Sequence, residues 1–247
     1  SDRVGLENFN KFSIMVDCHY CKHDPNEYPD ESFGVGLVRV CSRSEDIDRA
    51  VKLGENIKKR TGSKLSMNFF NITNYTMKDL EKCVKLASSS GADFIYFADT
   101  HGTLDLEKEY EKYSDMAALI NSYGITPGFH LHDHSGKAYF NYRNLLKCGF
   151  GSTDLSLAGM GKGDGNLKLE YVVPVSESPK VLDHLEKYRS ILQMKPSSYG
   201  IISSHFSITD YYALQAIRLG LDPSTFYEKA KAIEGMDKDN YSKEALI

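Results

Sequence analysis

Two hydrophobic rhythms alternate along this chain. Short apolar runs, residues 12–16, 35–40, 65–70 and 93–100, read as strands. Between them apolar residues return at helical spacing: Ile47, Ala50, Val51 and Gly54, then Leu80, Cys83, Val84 and Ala87, then Tyr113, Met116, Ala117 and Ile120. Ser42 to Glu45 has capping-box spacing ahead of the first of these helices, and Thr61-Gly62 closes it. A fifth strand near residue 127 precedes a helix through Ala138, Tyr142, Leu145 and Leu146. A sixth, residues 154–158, runs into a glycine-rich stretch. Beyond Leu167 the pattern is helical, with stripes at Val181–Tyr188, Tyr211–Leu219 and from Pro223 to Ile233.

Strand and helix repeating at this interval predict an α/β fold on a parallel sheet. Polar residues gather where the strands end, at Asp17, Arg39, Asn68, Asp99, His130, His132 and Gly159. A doubly wound sheet concentrates such residues at one switch point, whereas a barrel spreads them round its rim. The expectation is therefore a TIM (β/α)8-type barrel with six βα units visible, over residues 1–190, and a helical extension over 191–247 packed on it.

Composition changes this picture little. A length of 247 residues suffices for a large core, and a net charge of −4 points away from nucleic acid and anionic membranes as partners. No apolar run reaches the ~18 residues of a membrane span. Five cysteines, an odd number in an enzyme-sized chain, suggest reduced thiols and a cytoplasmic address. Cys18-x-x-Cys21 beside His19 and His23 lacks the second pair that a zinc site needs, so a loop thiol pair is the simpler reading.

The chemistry concentrates in Thr126-Pro-Gly-Phe-His-Leu-His-Asp-His134. On a strand, i and i+2 share a face, so His130 and His132 aim at one spot, a pattern suited to a divalent metal; His134 follows if the strand runs on. Asp99 ends the clearest strand, where it either caps the next turn or supports a ligand from behind, and His101 follows as an acid–base candidate. Gly159 to Asn166 matches neither phosphate-binding glycine motif, and its glycines suit a tight loop in which Asn166 offers an oxygen. There is no G-x-S-x-G and no interleaving of aromatic and basic residues, which leaves serine hydrolases and RNA binders aside.

Three blocks, Phe97-Ala-Asp-Thr-x-Gly102, Gly128-Phe-His-x-His-Asp-x-x-Gly136 and Ser156-Leu-Ala-Gly-Met-Gly-x-Gly-x-Gly-Asn166 with Leu169-Glu170, together resemble the HMG-CoA lyase-like (DRE-TIM) metallolyases. Val38-Arg-Val40 also matches, and the Ser-Leu-Ala-Gly-Met-Gly wording is most like the 4-hydroxy-2-oxovalerate aldolase branch. The resemblance implies metal ligation by His130 and His132 and a divalent ion, Mn, Mg, Zn or Co. Asn166 matches the position that in some members approaches the metal. Around that site the expected substrate-binding residues are Asn166, Asn68 and His134, and the expected catalytic set is His101, Asp99 and Arg39. The resemblance implies cleavage or formation of a 4-hydroxy-2-oxo acid from pyruvate and an aldehyde, with an aldehyde dehydrogenase partner as in some relatives; a homodimer is also expected. The family's first-strand Asp motif, source of a third ligand, is absent here. The first two barrel strands are thus expected to precede Phe12, outside this chain. The rival readings are a Claisen-type synthase or lyase acting on an acyl-CoA, disfavoured for the lyase because Gly163 stands where it carries cysteine, and a non-catalytic barrel domain.

Overall fold

A computed structural model describes residues 10–21, 34–174, 179–192 and 197–246. Six parallel strands pair in chain order: β1 (Ser13–Asp17), β2 (Leu37–Ser42), β3 (Lys64–Phe69), β4 (Phe94–Asp99), β5 (Thr126–Leu131) and β6 (Ser152–Thr153). Helices α1 (Ile47–Thr61), α2 (Met77–Ser89), α3 (Leu106–Ser122) and α4 (Ala138–Cys148) lie between β2 and β6, one in each connection. Successive order with helical crossovers is the TIM-type (β/α) arrangement. Then come α5 (Leu169–Val172), α6 (Pro179–Leu192), α7 (Ser198–His205), α8 (Tyr211–Arg218) and α9 (Pro223–Lys231). No helix among the described residues is long and apolar enough to cross a membrane.

The chain divides into two compact units. The first takes the described residues of Ser1–Ala98, Tyr110–Phe129 and Leu146–Ser152. Its sheet buries β3 from Leu65 to Phe69 on both faces, as a parallel strand between helices requires. Phe97 packs against Phe69, Phe129 and Phe150, and Tyr113 of α3 meets Phe129 edge-on at 5.6 Å. Gly54 lets α1 approach β3, for a Cβ there would stand 3.1 Å from the Met67 sulfur. A tighter case is Gly128 on β5, where a Cβ would fall 2.3 Å from the Tyr96 ring.

The second unit holds Asp99–Glu109, His130–Leu145 and the described part of Thr153–Ile247. Its apolar core joins Tyr212, Ala213 and Ala216 of α8 to Phe226 and Ala230 of α9, with Ile208, Ile233 and Leu246. Asp222 caps α9 by accepting from the Ser224 and Thr225 amides, and Pro223 takes the first helical position, where its missing N–H costs nothing.

Several expected boundaries move. Ser42 and Glu45 form no capping box; a 3-10 turn, Ser44–Asp46, leads into α1 without a side-chain cap. The box lies instead at Thr76 and Asp79, opening α2. The sixth strand is only Ser152–Thr153, so 154–158 is not strand and Leu157–Gly159 is a 3-10 turn. β5 stops at Leu131, which leaves His134 in the turn beyond it. Helix α7 carries no apolar stripe of the usual kind, since Gly200, Ser203 and Ser204 are its buried residues, and this hid it in the sequence. His23 of the thiol-pair reading lies outside the described residues.

Candidate functional site

The histidine run emerges from β5 because Phe129 and Leu131 are anchored in the core while His130 alternates to the other face. His130 and His132 stand with ring centroids 5.0 Å apart, and His132 and His134 with theirs 4.9 Å apart. His130 Nδ1 lies 2.9 Å from Asp154 Oδ2. A carboxylate can only accept, so this nitrogen carries the hydrogen and Nε2 is left as the donor atom. His132 is buried and its Nδ1 has no hydrogen-bond partner. Burial, reinforced by neighbouring His130, pushes its pKa down to about 2, so it stays neutral and able to ligate. His134, held lower than usual chiefly by burial, approaches the Lys162 carbonyl at 3.4 Å.

The glycine-rich loop closes on this row. His132 bridges to Asn166, and Asp133 donates its amide to the Gly165 carbonyl at 2.9 Å. Asn166 Nδ2 donates to the Met160 carbonyl, while its Oδ1 is buried without a partner. Two glycines make the closeness possible: a Cβ on Gly161 would sit 2.2 Å from the Asn166 amide, and one on Gly163 2.6 Å from His134 Nε2. Gly163 also has φ +63°, a conformation disfavoured for other residues.

Do these residues fit the divalent ion that the motifs imply? Two imidazoles and an amide oxygen are suitable donors, and two of the three, His132 Nδ1 and Asn166 Oδ1, are orphaned as an ion would leave them in its absence. Among the described residues no group of three His, Cys, Asp or Glu side chains gathers to hold a metal. The residues thus fit an ion as a partial donor set. Asp154, not singled out in the sequence, is the missed member; its place just past a strand end beside a histidine strand was the available signal. We expect Asp154→Asn to weaken divalent-metal affinity about 10–100-fold, measured by Mn titration, by freeing the His130 ring.

Asp99 is buried, and its oxygens accept from the Thr103 and Leu104 amides at 2.9 and 3.2 Å, capping the turn after β4. Burial nevertheless raises its pKa to about 7. From pH 3.8 to about 7 the folded chain therefore holds a proton that the unfolded chain has lost. Stability should fall as pH rises through this window and level off above it, by at most about 4 kcal/mol. Urea unfolding at several pH values checks this, and Asp99→Asn should flatten that slope.

His101, also buried, has Nε2 3.2 Å from Asp239 Oδ1, and its carbonyl accepts from Ser204 Oγ at 2.8 Å. Gly102 packs on His134, where a Cβ would be 2.9 Å away. His101, Asp99, His130, His132, His134 and Asn166 thus share the second unit. Arg39 and Asn68 belong to the first, where the Asn68 amide oxygen, in the orientation its neighbours require, accepts from Arg39 Nε at 3.1 Å. The Arg39 guanidinium lies 4.6 Å from the centroid of the Tyr96 ring.

Known proteins resemble this chain in parts. It is 27% identical over 145 residues to the 4-hydroxy-2-oxovalerate aldolase of Geobacillus genomosp. 3, covering 58% of this chain and 41% of that one. To the enzyme of that name from Pseudomonas putida it is 33% identical over 105 residues, 42% of this chain and 30% of the relative. The chain thus spans less than half the length of these relatives. In fold it matches the N-terminal domain of a candidate aldolase from Bacteroides vulgatus, with TM-score 0.68 and 19% identity over 83% of this chain and 72% of that one. The carboxyl transferase domain of Rhizobium etli pyruvate carboxylase also matches, with TM-score 0.68 and 15% identity over 95% of this chain and 47% of that one. The HMGL-like family model matches residues 36–195, a stretch holding the histidine run, its Asp154 support and the glycine-rich loop, and by that match the chain belongs to the HMGL-like family.

Proposed function

We propose that this chain forms the metal- and substrate-binding part of a divalent-metal-dependent aldolase, which cleaves or forms a 4-hydroxy-2-oxo acid from pyruvate and an aldehyde. The observation that carries the reading is the carboxylate-oriented His130 beside a buried, neutral His132 with a bare ring nitrogen. His130 and His132 would hold the ion, Mn, Mg, Zn or Co, which when bound supplies Lewis acidity to the 2-oxo carbonyl. Asp154 keeps the His130 ring in one orientation and tautomer. Asn166 and His134 face the bound 2-oxo acid, and the loop from Gly159 to Asn166 excludes water from it. His101, with its Nε2 turned to Asp239, is the acid–base group for the substrate 4-hydroxyl, and Asp99 supports that end of the site. Arg39 and Asn68 keep their catalytic and substrate-binding parts from the sequence reading alone, Arg39 with the Val38-Arg-Val40 match behind it. Under this reading residues 191–247 extend a barrel domain, and the enzyme works in the cytoplasm, as a homodimer alongside an aldehyde dehydrogenase.

Pyruvate release from 4-hydroxy-2-oxovalerate, followed through lactate dehydrogenase and NADH, tests it. Release that needs added Mn and stops with chelator is the expected result. A folded, metal-loaded chain that releases pyruvate from no 4-hydroxy-2-oxo acid contradicts it, and release of free CoA from acetyl-CoA would favour Claisen chemistry instead.

A further inference from the structure

The glycine-rich loop is held from two sides, and only one of them is the histidine row. On the other, Lys162 pairs with Asp210, the residue ahead of α8. Asp164 Oδ1 accepts from the Ser197 amide at 3.0 Å, at the start of α7. The fit there is close, since a Cβ on Gly200 would stand 2.6 Å from Asp164 Oδ2. Between these two anchors lies Gly163, whose added Cβ would meet His134 Nε2 at 2.6 Å and Asp210 Oδ2 at 3.4 Å. Residues 162–164 are therefore packed between His134 and the opening turns of α7 and α8, all within the second unit.

We infer that Asp210 and Asp164 are positioning residues, which tether the loop so that Asn166 and His134 are set for the metal and its 2-oxo acid. The inference rests on the proposed aldolase reading for what the loop serves, but the tether itself does not depend on it. A loop of four glycines among the eight residues from Gly159 to Asn166 has many conformations to lose on ordering. Two of its backbone bonds, Asn166 N to the Gly159 carbonyl and Gly165 N to the Lys162 carbonyl, are local, and the longer-range one, Asp133 N to the Gly165 carbonyl, fixes the end beside the histidine row, so the far side at residues 162–164 is left to side-chain anchors. A charged pair on Lys162 and a carboxylate on a helix N-terminus are longer-range anchors, each strengthened by charge. In a preorganised site such anchors act on binding without touching the ligand.

Two measurements on the full chain test this, with Asp210→Asn, Asp164→Asn and the double variant, and Asp210→Glu as the conservative control. The first is amide hydrogen exchange. Exchange at the Gly165 and Asn166 amides should quicken about tenfold or more in each single variant, the weight of one charge-assisted hydrogen bond, while the β3 and β4 amides stay unchanged. The second is Mn affinity, and the tightening of Mn by pyruvate, read by the Mn EPR signal. Both should weaken about tenfold in the Asn variants and recover in Asp210→Glu. Unchanged loop exchange in the double variant overturns the tether. Faster exchange with undiminished Mn and pyruvate binding overturns the positioning role. A parent chain that takes up no Mn overturns the aldolase reading and the positioning role with it, and the tether is then decided by exchange alone.

Discussion

Replacing His132 with alanine should abolish stoichiometric divalent-metal binding while leaving the sheet folded. Loss of an outer-shell partner costs about 10–100-fold in metal affinity, so loss of a ligand should exceed that range. His132 is also the donor best prepared for the role. Its desolvation cost as a neutral ring is already met by folding, and at a pKa near 2 it releases no proton when an ion arrives. A titration of Mn against the parent chain and His132→Ala, followed by the free Mn EPR signal, gives the affinities, and circular dichroism confirms the fold. His130→Ala should behave alike. A variant that binds Mn as tightly as the parent removes His132 from the site.

Among substitutions, a large loss of stability is expected earlier in β5, at Gly128. Gly128→Ala puts a methyl group 2.3 Å from the Tyr96 ring, far inside contact distance. The ring cannot readily yield, because the Tyr96 hydroxyl is bonded to Ser152 Oγ and its face carries the Arg39 guanidinium. Overpacking of this kind costs about 1–3 kcal/mol, and a pinned aromatic neighbour puts Gly128 at the upper end. Urea unfolding of Gly128→Ala measures it. In a Tyr96→Leu background the same substitution should cost clearly less, since the two sites are in contact and should not add. Equal cost in both backgrounds would mean that the methyl group is accommodated by a shift of β5 rather than resisted by the ring.

Much of the architecture was legible in the residue pattern, because parallel strands covered by helices on both sides leave long apolar runs. Residues 93–100 announce β4 to within a residue at each end. Boundaries failed where side chains compete for the backbone. Ser42 and Glu45 have the right spacing for a capping box, but Ser42 is still in β2, and its hydroxyl donates to the Arg43 carbonyl. Helix α7 escaped notice for the opposite reason, being buried through glycine and serines. In the site, the His-x-His spacing indicated that two rings would converge, and they do, 5.0 Å apart. What spacing cannot convey is long-range company. Asp154 is 24 residues from His130, and Asp239 is 138 from His101. Both depend on which strand ends and helix starts the fold brings together.

The assignment of a divalent ion to His130 and His132 together carries the proposed function. Its most direct test is nitrogen NMR of the chain labelled at histidine, recorded with and without zinc. Coordination should move one ring nitrogen each of His130 and His132 to the shifts of metal-bound imidazole, with one equivalent of zinc completing the change, while the Asp154-bonded Nδ1 of His130 keeps its proton. Zinc that leaves both rings unmoved, or that shifts the exposed His19 and His184 instead, contradicts that assignment.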